Sequence, residues 1–230
     1  MNLARLIAIA VLTHMAFVSA RMTTSLYALA VNASTFTVGV IMALFSLVPM
    51  LIALRVGRWV DAVGPRRPVL IGTLFILVGM LLPSAFSYAA ADLAPLLVAA
   101  ALIGTGAMLT MLSIQKVVGD RADPSRRAAA FSWLALGASI SGFAGPVLSG
   151  LLIDAFGHRA TFGVLTGVVL LALALVWVNR GLLPTHEGRM SDPEPLHPLE
   201  LLKHKYGNRS VDTELVFPSE ALTRLNASNI

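Results

Sequence analysis

Six stretches of this chain are each long and apolar enough to cross a lipid bilayer. They run approximately over Leu3–Ala30, Thr37–Leu54, Pro68–Tyr88, Leu93–Ile114, Ala128–Ile153 and Ala160–Asn179. A span of the hydrocarbon core, roughly 30 Å thick, takes about 20 such residues as a helix. Within hydrocarbon each backbone N–H and C=O must find its partner inside the protein, and a helix satisfies them all within the segment. The expected fold is therefore all-α: a polytopic membrane bundle of six transmembrane helices, with short links making consecutive helices antiparallel. Composition agrees, since 57% of the residues are hydrophobic and 13% are charged, against roughly 25% charged in a soluble domain.

The formal charge of +5 raises nucleic acid as a partner, but its placement points elsewhere. Lys and Arg collect in the cytoplasmic loops of membrane proteins. With the N-terminus inside, the inner links hold Arg5, Arg55, Arg58, Arg66, Arg67, Lys116, Arg121, Arg126, Arg127 and Arg180, and the outer links hold Arg159. The arginines are thus orientation signals. They predict a multi-pass protein of the cell (inner or plasma) membrane with both termini cytoplasmic and no nucleic acid partner. The first twenty residues also imitate a signal peptide, with Arg5 before an apolar Leu6–Leu12 and a Val18-Ser19-Ala20 cleavage site. Removing them would leave five spans and spoil the even topology, so they are read as the first span.

Between the second and third runs lies GRWVDAVGPRR, Gly57 to Arg67, a dense polar patch for so apolar a chain. It has an echo. Gly57, Asp61, Ala62, Gly64 and Arg66 recur with identical spacing as Gly150, Asp154, Ala155, Gly157 and Arg159. Each copy closes the second span in a set of three. Spans one to three and four to six therefore read as two copies of one unit. Three being odd, the copies insert in opposite orientations, the inverted repeat of secondary transporters. Convergence of two tight turns is the plainer alternative, because Gly and Asp are common turn residues.

The patch resembles the signature of the major facilitator superfamily, Gly-xxx-Asp-(Arg/Lys)-x-Gly-x-(Arg/Lys)-(Arg/Lys). Gly57, Asp61, Gly64, Arg66 and Arg67 match, while Ala62 stands where a basic residue is usual. The resemblance covers residues 1–181, six spans in the right order. It implies a secondary active transporter, not an enzyme, moving a small solute across the bilayer by alternating access. It also implies a conformational latch. Gly57 would let helices approach, Gly64 would permit a sharp turn, Asp61 would face a helix N-terminus, and Arg66 and Arg67 would hold that carboxylate or lipid phosphates. The other reading of the two arginines is that they only enforce topology.

In the fifth run Gly137, Ser141, Gly145 and Ser149 fall four apart, as do Ala138, Gly142, Pro146 and Gly150. Small residues at this spacing let backbones pack closely in lipid, and Pro146 can bend the helix. Gly137, Ser141, Gly145, Pro146 and Gly150 also resemble the antiporter signature of the same superfamily, which would imply efflux. Ordinary close packing and the antiporter role both remain open. Ser139 and Ser141 raise an intramembrane serine protease as well, but that chemistry needs a histidine base on a neighbouring span. His14 is the one histidine inside any span.

Arg21 is the one charged side chain well inside a span. Such residues are costly in lipid and mark function. His14 lies two helical turns earlier on nearly the same face, and Thr24 and Ser25 continue the stripe. These four are the candidates for substrate or coupling, lining a watery cavity in which Arg21 meets an anionic group. The alternative is an arginine that snorkels to the headgroups above a packed histidine. No carboxylate lies within a span. Gly104-Thr105-Gly106 resembles part of a further superfamily signature but lacks its arginine and glutamine, where Ala100 and Ile103 stand. Thr110, Ser113 and Gln115 read as helix contacts.

Cysteine is absent, and no metal cluster, phosphate loop or nucleotide fingerprint is present. No metal or cofactor is expected, and an ion or proton gradient is left as the energy source. Residues 182–230 form a polar tail resembling the superfamily's central cytoplasmic loop, with RMSDPEP as linker and PLHPLELLKHKYG as a short amphipathic helix. The superfamily usually has twelve spans, so the expected partners beyond bilayer and small-molecule substrate are a missing C-terminal half or a second copy. A truncated half predicts that coding DNA past the Ile230 codon encodes six further apolar spans in some frame. A six-span homodimer or interaction module predicts instead a stoichiometric oligomer on crosslinking in native membranes, and monomers alone would exclude it.

Overall fold

The computed structural model describes residues 3–85, 93–123 and 125–183. The chain divides into two units, Met1–Gly188 and Arg189–Ile230. Everything described lies in the first, so the expected tail helix and linker fall outside the described residues. The described residues form helices α1 (Leu3–Ala30), α2 (Thr35–Val63), α3 (Arg66–Ala85), α4 (Ala94–Arg121) and α5 (Arg127–Val178), then a single 3-10 turn at Arg180–Leu182. All five helices are long and apolar enough to cross a membrane.

Local chemistry sets the ends. Asn32 takes a left-handed φ of 59° between α1 and α2. Ser34 then caps α2, its Oγ accepting from the Thr37 N–H at 3.1 Å, an interaction worth about 1 kcal/mol. Proline occupies the first turn of α4, where its missing N–H costs nothing. Thr13, Thr23, Thr73, Thr110, Ser113 and Thr166 turn their hydroxyls back onto the carbonyl four residues earlier. That is how buried hydroxyls are satisfied without water.

Two expectations are corrected. The polar patch is not a link: α2 runs nine residues past Leu54, to Val63, so Gly57 and Asp61 sit on a helix and only Gly64 and Pro65 separate α2 from α3. The fifth and sixth runs are likewise not two separate helices but one element of 52 residues, with Gly157 in a non-helical conformation inside it. A straight helix of that length would measure about 78 Å, far beyond the bilayer core, and the contacts show that it doubles back. Going along α1, Val11 meets Gly137, Ser19 meets Gly145 and Ser149, and Tyr27 meets His158. Beyond the turn the order reverses, with Phe162 at Tyr27 and Asn179 at Arg5. The path therefore crosses six times with five helices. One glycine makes the turn where the sequence suggested a loop.

The repeat is visible in the backbone itself. Gly64 has φ 77° and ψ 164°, and Gly157 has φ 79° and ψ 168°, a region that is essentially glycine-only. Helix pairing obeys the same exchange. The first half of α5 packs on α1, and its counterpart α2 packs on α4, where Gly104 lies against the Phe45 backbone. α3 packs on α4 through Gly72 and Gly106, and the second half of α5 packs on α1. The bundle is two inverted three-helix repeats.

Because alanine at either turn would carry a strained φ, Gly64→Ala and Gly157→Ala should each lower stability by about 1–3 kcal/mol. Gly163→Ala, in helical backbone with nothing near its added Cβ, should be neutral or slightly stabilising. Thermal unfolding in detergent distinguishes the three.

Candidate functional site

The basic residues gather at one end of the bundle. Leu6, Val69, Val117, Ala130 and Val176 form one core cluster there, which brings the start of α1, the Gly64 turn, the end of α4 and both ends of α5 together. At this end Asp61 is held across helices by Lys116 of α4, Nζ to Oδ1 at 2.6 Å, with Asp120 a turn further on at 3.7 Å from the same amine. Arg66 and Arg67 make no ion pair among the described residues, so the partner of Asp61 is not the one the motif suggested. Nor does Gly57 serve close approach: a Cβ there would meet nothing. It lines a cavity of about 160 Å³ with Val60, Asp61, Leu112, Gln115 and Lys116. Gly64 does make the expected sharp turn.

The fifth-span stripe splits in two. Gly137, Ser141, Gly145 and Ser149 are buried against α1. A Cβ on Gly137 would lie 2.6 Å from Val11 Cγ2, and one on Gly145 would lie 3.1 Å from Ser19 Oγ. Hydroxyls bridge the same seam: Ser19 Oγ donates to Gly145 O at 3.1 Å, Ser141 Oγ to Val11 O at 3.2 Å and Ser149 Oγ to Ser19 O at 3.2 Å. Pro146 and Gly150 lie off this seam, partly exposed. The seam is a packing contact, and its geometry leaves the antiporter resemblance with no separate structural feature.

The α1 stripe also divides. Thr24 is fully buried, with its Oγ1 unpartnered, so it faces the core rather than the exposed face of Arg21. His14, Arg21 and Ser25 share the outer side with Phe17. The Arg21 guanidinium lies 5.7 Å from the Phe17 ring centre. Phe17 is tilted against His14 at 6.1 Å and meets Phe45 of α2 edge-on at 6.0 Å. His14 Nδ1 is buried without a protein partner, beside a cavity of about 10 Å³ lined by Ala10, Thr13, His14, Ala107 and Met111, room for one water. Arg21 makes no ion pair among the described residues.

The family profile of the Major Facilitator Superfamily matches residues 6–218. The chain belongs to that superfamily. Among solved structures it is similar in fold to a peptide transporter POT in complex with sulfate (22% identity, TM-score 0.68, covering 98% of this chain and 45% of that one). It is also similar to a POT family transporter in complex with 5-aminolevulinic acid (20%, TM-score 0.68, 90% and 43%) and to the POT family transporter PepTSo (18%, TM-score 0.69, 91% and 43%). The chain thus spans less than half the length of these transporters. No curated protein sequence matches it.

Sequence reasoning missed Lys116 as the partner of Asp61 and missed Ser19 in the α1–α5 seam. Lys116 was in view as a positive charge ending the fourth run, but nothing in a single sequence says that α4 faces α2. Since the Asp61 side chain is 66% exposed and that of Lys116 22%, the pair is solvent-screened. A double-mutant cycle with Asp61→Asn and Lys116→Gln should give a coupling of about 0.2–1 kcal/mol that shrinks in high salt.

Proposed function

We propose that this chain is the N-terminal six-pass half of a secondary transporter, a carrier rather than an enzyme, moving a small solute by alternating access together with a second six-pass unit. The observation that carries the reading is the inverted repeat with its twin glycine turns at Gly64 and Gly157. Transporters built this way hold substrate near the bilayer midplane at a repeat interface. The basic end, with Arg5, Arg66, Arg67, Lys116 and Arg126, is the cytoplasmic one, so the six-pass bundle begins and ends on the cytoplasmic side. Asp61 and Lys116 hold α2 to α4 at that end while the two six-pass units rock against each other. The outer side of α1, with exposed Arg21 and half-buried His14 and Ser25, lines the solute path. The partial antiporter signature at residues 137–150 favours export.

The absence of cysteine makes this directly testable. Ser25→Cys should react with a charged, membrane-impermeant thiol reagent, while Phe143→Cys, on an exposed apolar face of α5, should not. Equal reaction at both positions, or none at Ser25→Cys, would remove α1 from the solute path.

A further inference from the structure

The small cavity between α1 and α4 lies on the symmetry axis of the repeat. The spacing of 93 residues that carries Gly57 to Gly150 also carries His14 to Ala107. These two counterparts line one cavity, together with Ala10 and Thr13 of α1 and Met111 of α4. Residues equated by an inverted repeat come into contact where its two-fold axis passes, and that axis lies in the membrane plane. His14 and Ala107 each stand about midway along a spanning helix, so the cavity sits near the bilayer midplane. Carriers of this build hold their substrates and coupling ions there, and this inference rests on that transporter reading.

The polar wall of the cavity is a set of lone pairs. Thr13 spends its hydroxyl hydrogen inside α1, on Ile9 O at 2.8 Å and Ala10 O at 3.1 Å, which leaves its oxygen to accept or to coordinate. His14 Nδ1 is buried without a partner and carries a lone pair when the ring proton is on Nε2. Met111 adds a thioether sulfur, a weak acceptor. The volume, about 10 Å³, admits one water-sized body. A water there could donate to nitrogen and oxygen, but no donor meets its own lone pairs, and a buried water usually has about three partners. A cation uses all three lone pairs at once. Imidazole with thioether is a soft donor set, of the kind that selects Cu(I) over Mg(II) or Ca(II). No carboxylate lines the cavity, so it holds a single positive charge at less cost than a double one. Arg21, the nearest like charge on α1, lies about 10 Å along the helix on an exposed face, where water and salt screen it.

We infer that the α1–α4 crossing binds a soft monovalent cation of the Cu(I) class, between His14 Nδ1 and the Met111 sulfur. The probe is Ag(I), which has the same charge and softness and does not change oxidation state. It is added as the nitrate, in chloride-free buffer, to the full chain in nanodiscs, with 13C in the methionine methyls and 15N in the histidine rings. The Met111 methyl, assigned by its absence in Met111→Leu, and the His14 ring should shift together along one saturating curve. His14→Gln should weaken the Met111 response, and Met111→Leu the His14 response, each by about tenfold or more, since loss of even an outer partner of a metal ligand costs that much. Zn(II) and Na(I) should move neither signal. Thermal unfolding of each variant reports folding, and Met111→Leu, which nearly conserves volume, keeps the test decisive should His14→Gln fail to fold. A Met111 methyl that stays still in the folded wild-type chain while other methionines or histidines respond shows adventitious binding only and overturns the inference. So does a Met111 response unchanged in His14→Gln. An equal response to Zn(II) overturns the soft monovalent class. Labelling of Ser25→Cys uses no Ag(I), so the cation site and the solute path fail separately.

Discussion

Close approach of helix backbones is the contact on which this bundle depends. In lipid, apolar side chains gain little by leaving hydrocarbon for one another, so helices are held by van der Waals fit and by hydrogen bonds across seams. The fit here is made by glycine where α2 and α3 cross α4 and where the first half of α5 crosses α1. Gly104 sits on the Phe45 carbonyl, Gly106 on that of Gly72, Gly137 under Val11 and Gly145 beside Ser19. A methyl group at Gly104 or Gly106 would overlap backbone atoms, which cannot move aside as a side-chain end can. The serines of the α1–α5 seam add interhelical hydrogen bonds at the same places. Loss of one of these glycines therefore separates two helices, not two side chains.

The twofold exchange of the repeat follows from that packing. α1 meets the first half of α5 through glycine and serine, and α4 meets α2 through glycine. The turns that let each unit reverse are the same turn, glycine at nearly the same φ and ψ. At the basic end the turn carries an acid tied to Lys116. At the other end its counterpart Asp154 makes no ion pair among the described residues, and Arg159 donates instead to the Ser84 carbonyl at 3.1 Å. The repeat has thus kept its backbone while its charges have diverged between ends, as expected if the two ends face different compartments.

Much of the architecture was legible because it rests on run length, charge placement and spacing. The limits of α1 were readable to the residue, and the Gly57–Arg66 echo located both turns. What was not legible depended on which helix faces which. The sequence could not show that α4 brings Lys116 to Asp61, that Thr24 turns inward away from Arg21, or that Gly57 has open space around it while Gly106 has none. The count of helices failed for a different reason. Gly157 alone leaves helical φ and ψ, so the fifth and sixth spans join with no loop between them. Arg21 stood out because one charge among apolar residues needs no alignment to be noticed, whereas the contact of Phe17 with Phe45 of α2 appeared only in three dimensions.

The central claim is that the two glycine turns are inverted copies lying on opposite sides of one bilayer. Ala62 and Ala155 are repeat counterparts, both exposed and both a few residues from their turn. In the cysteine-free chain, Ala62→Cys and Ala155→Cys should label with an impermeant thiol reagent from opposite faces of sealed vesicles, Ala62→Cys from the cytoplasmic face. Labelling of both from the same face would contradict the inverted repeat and the six-crossing path.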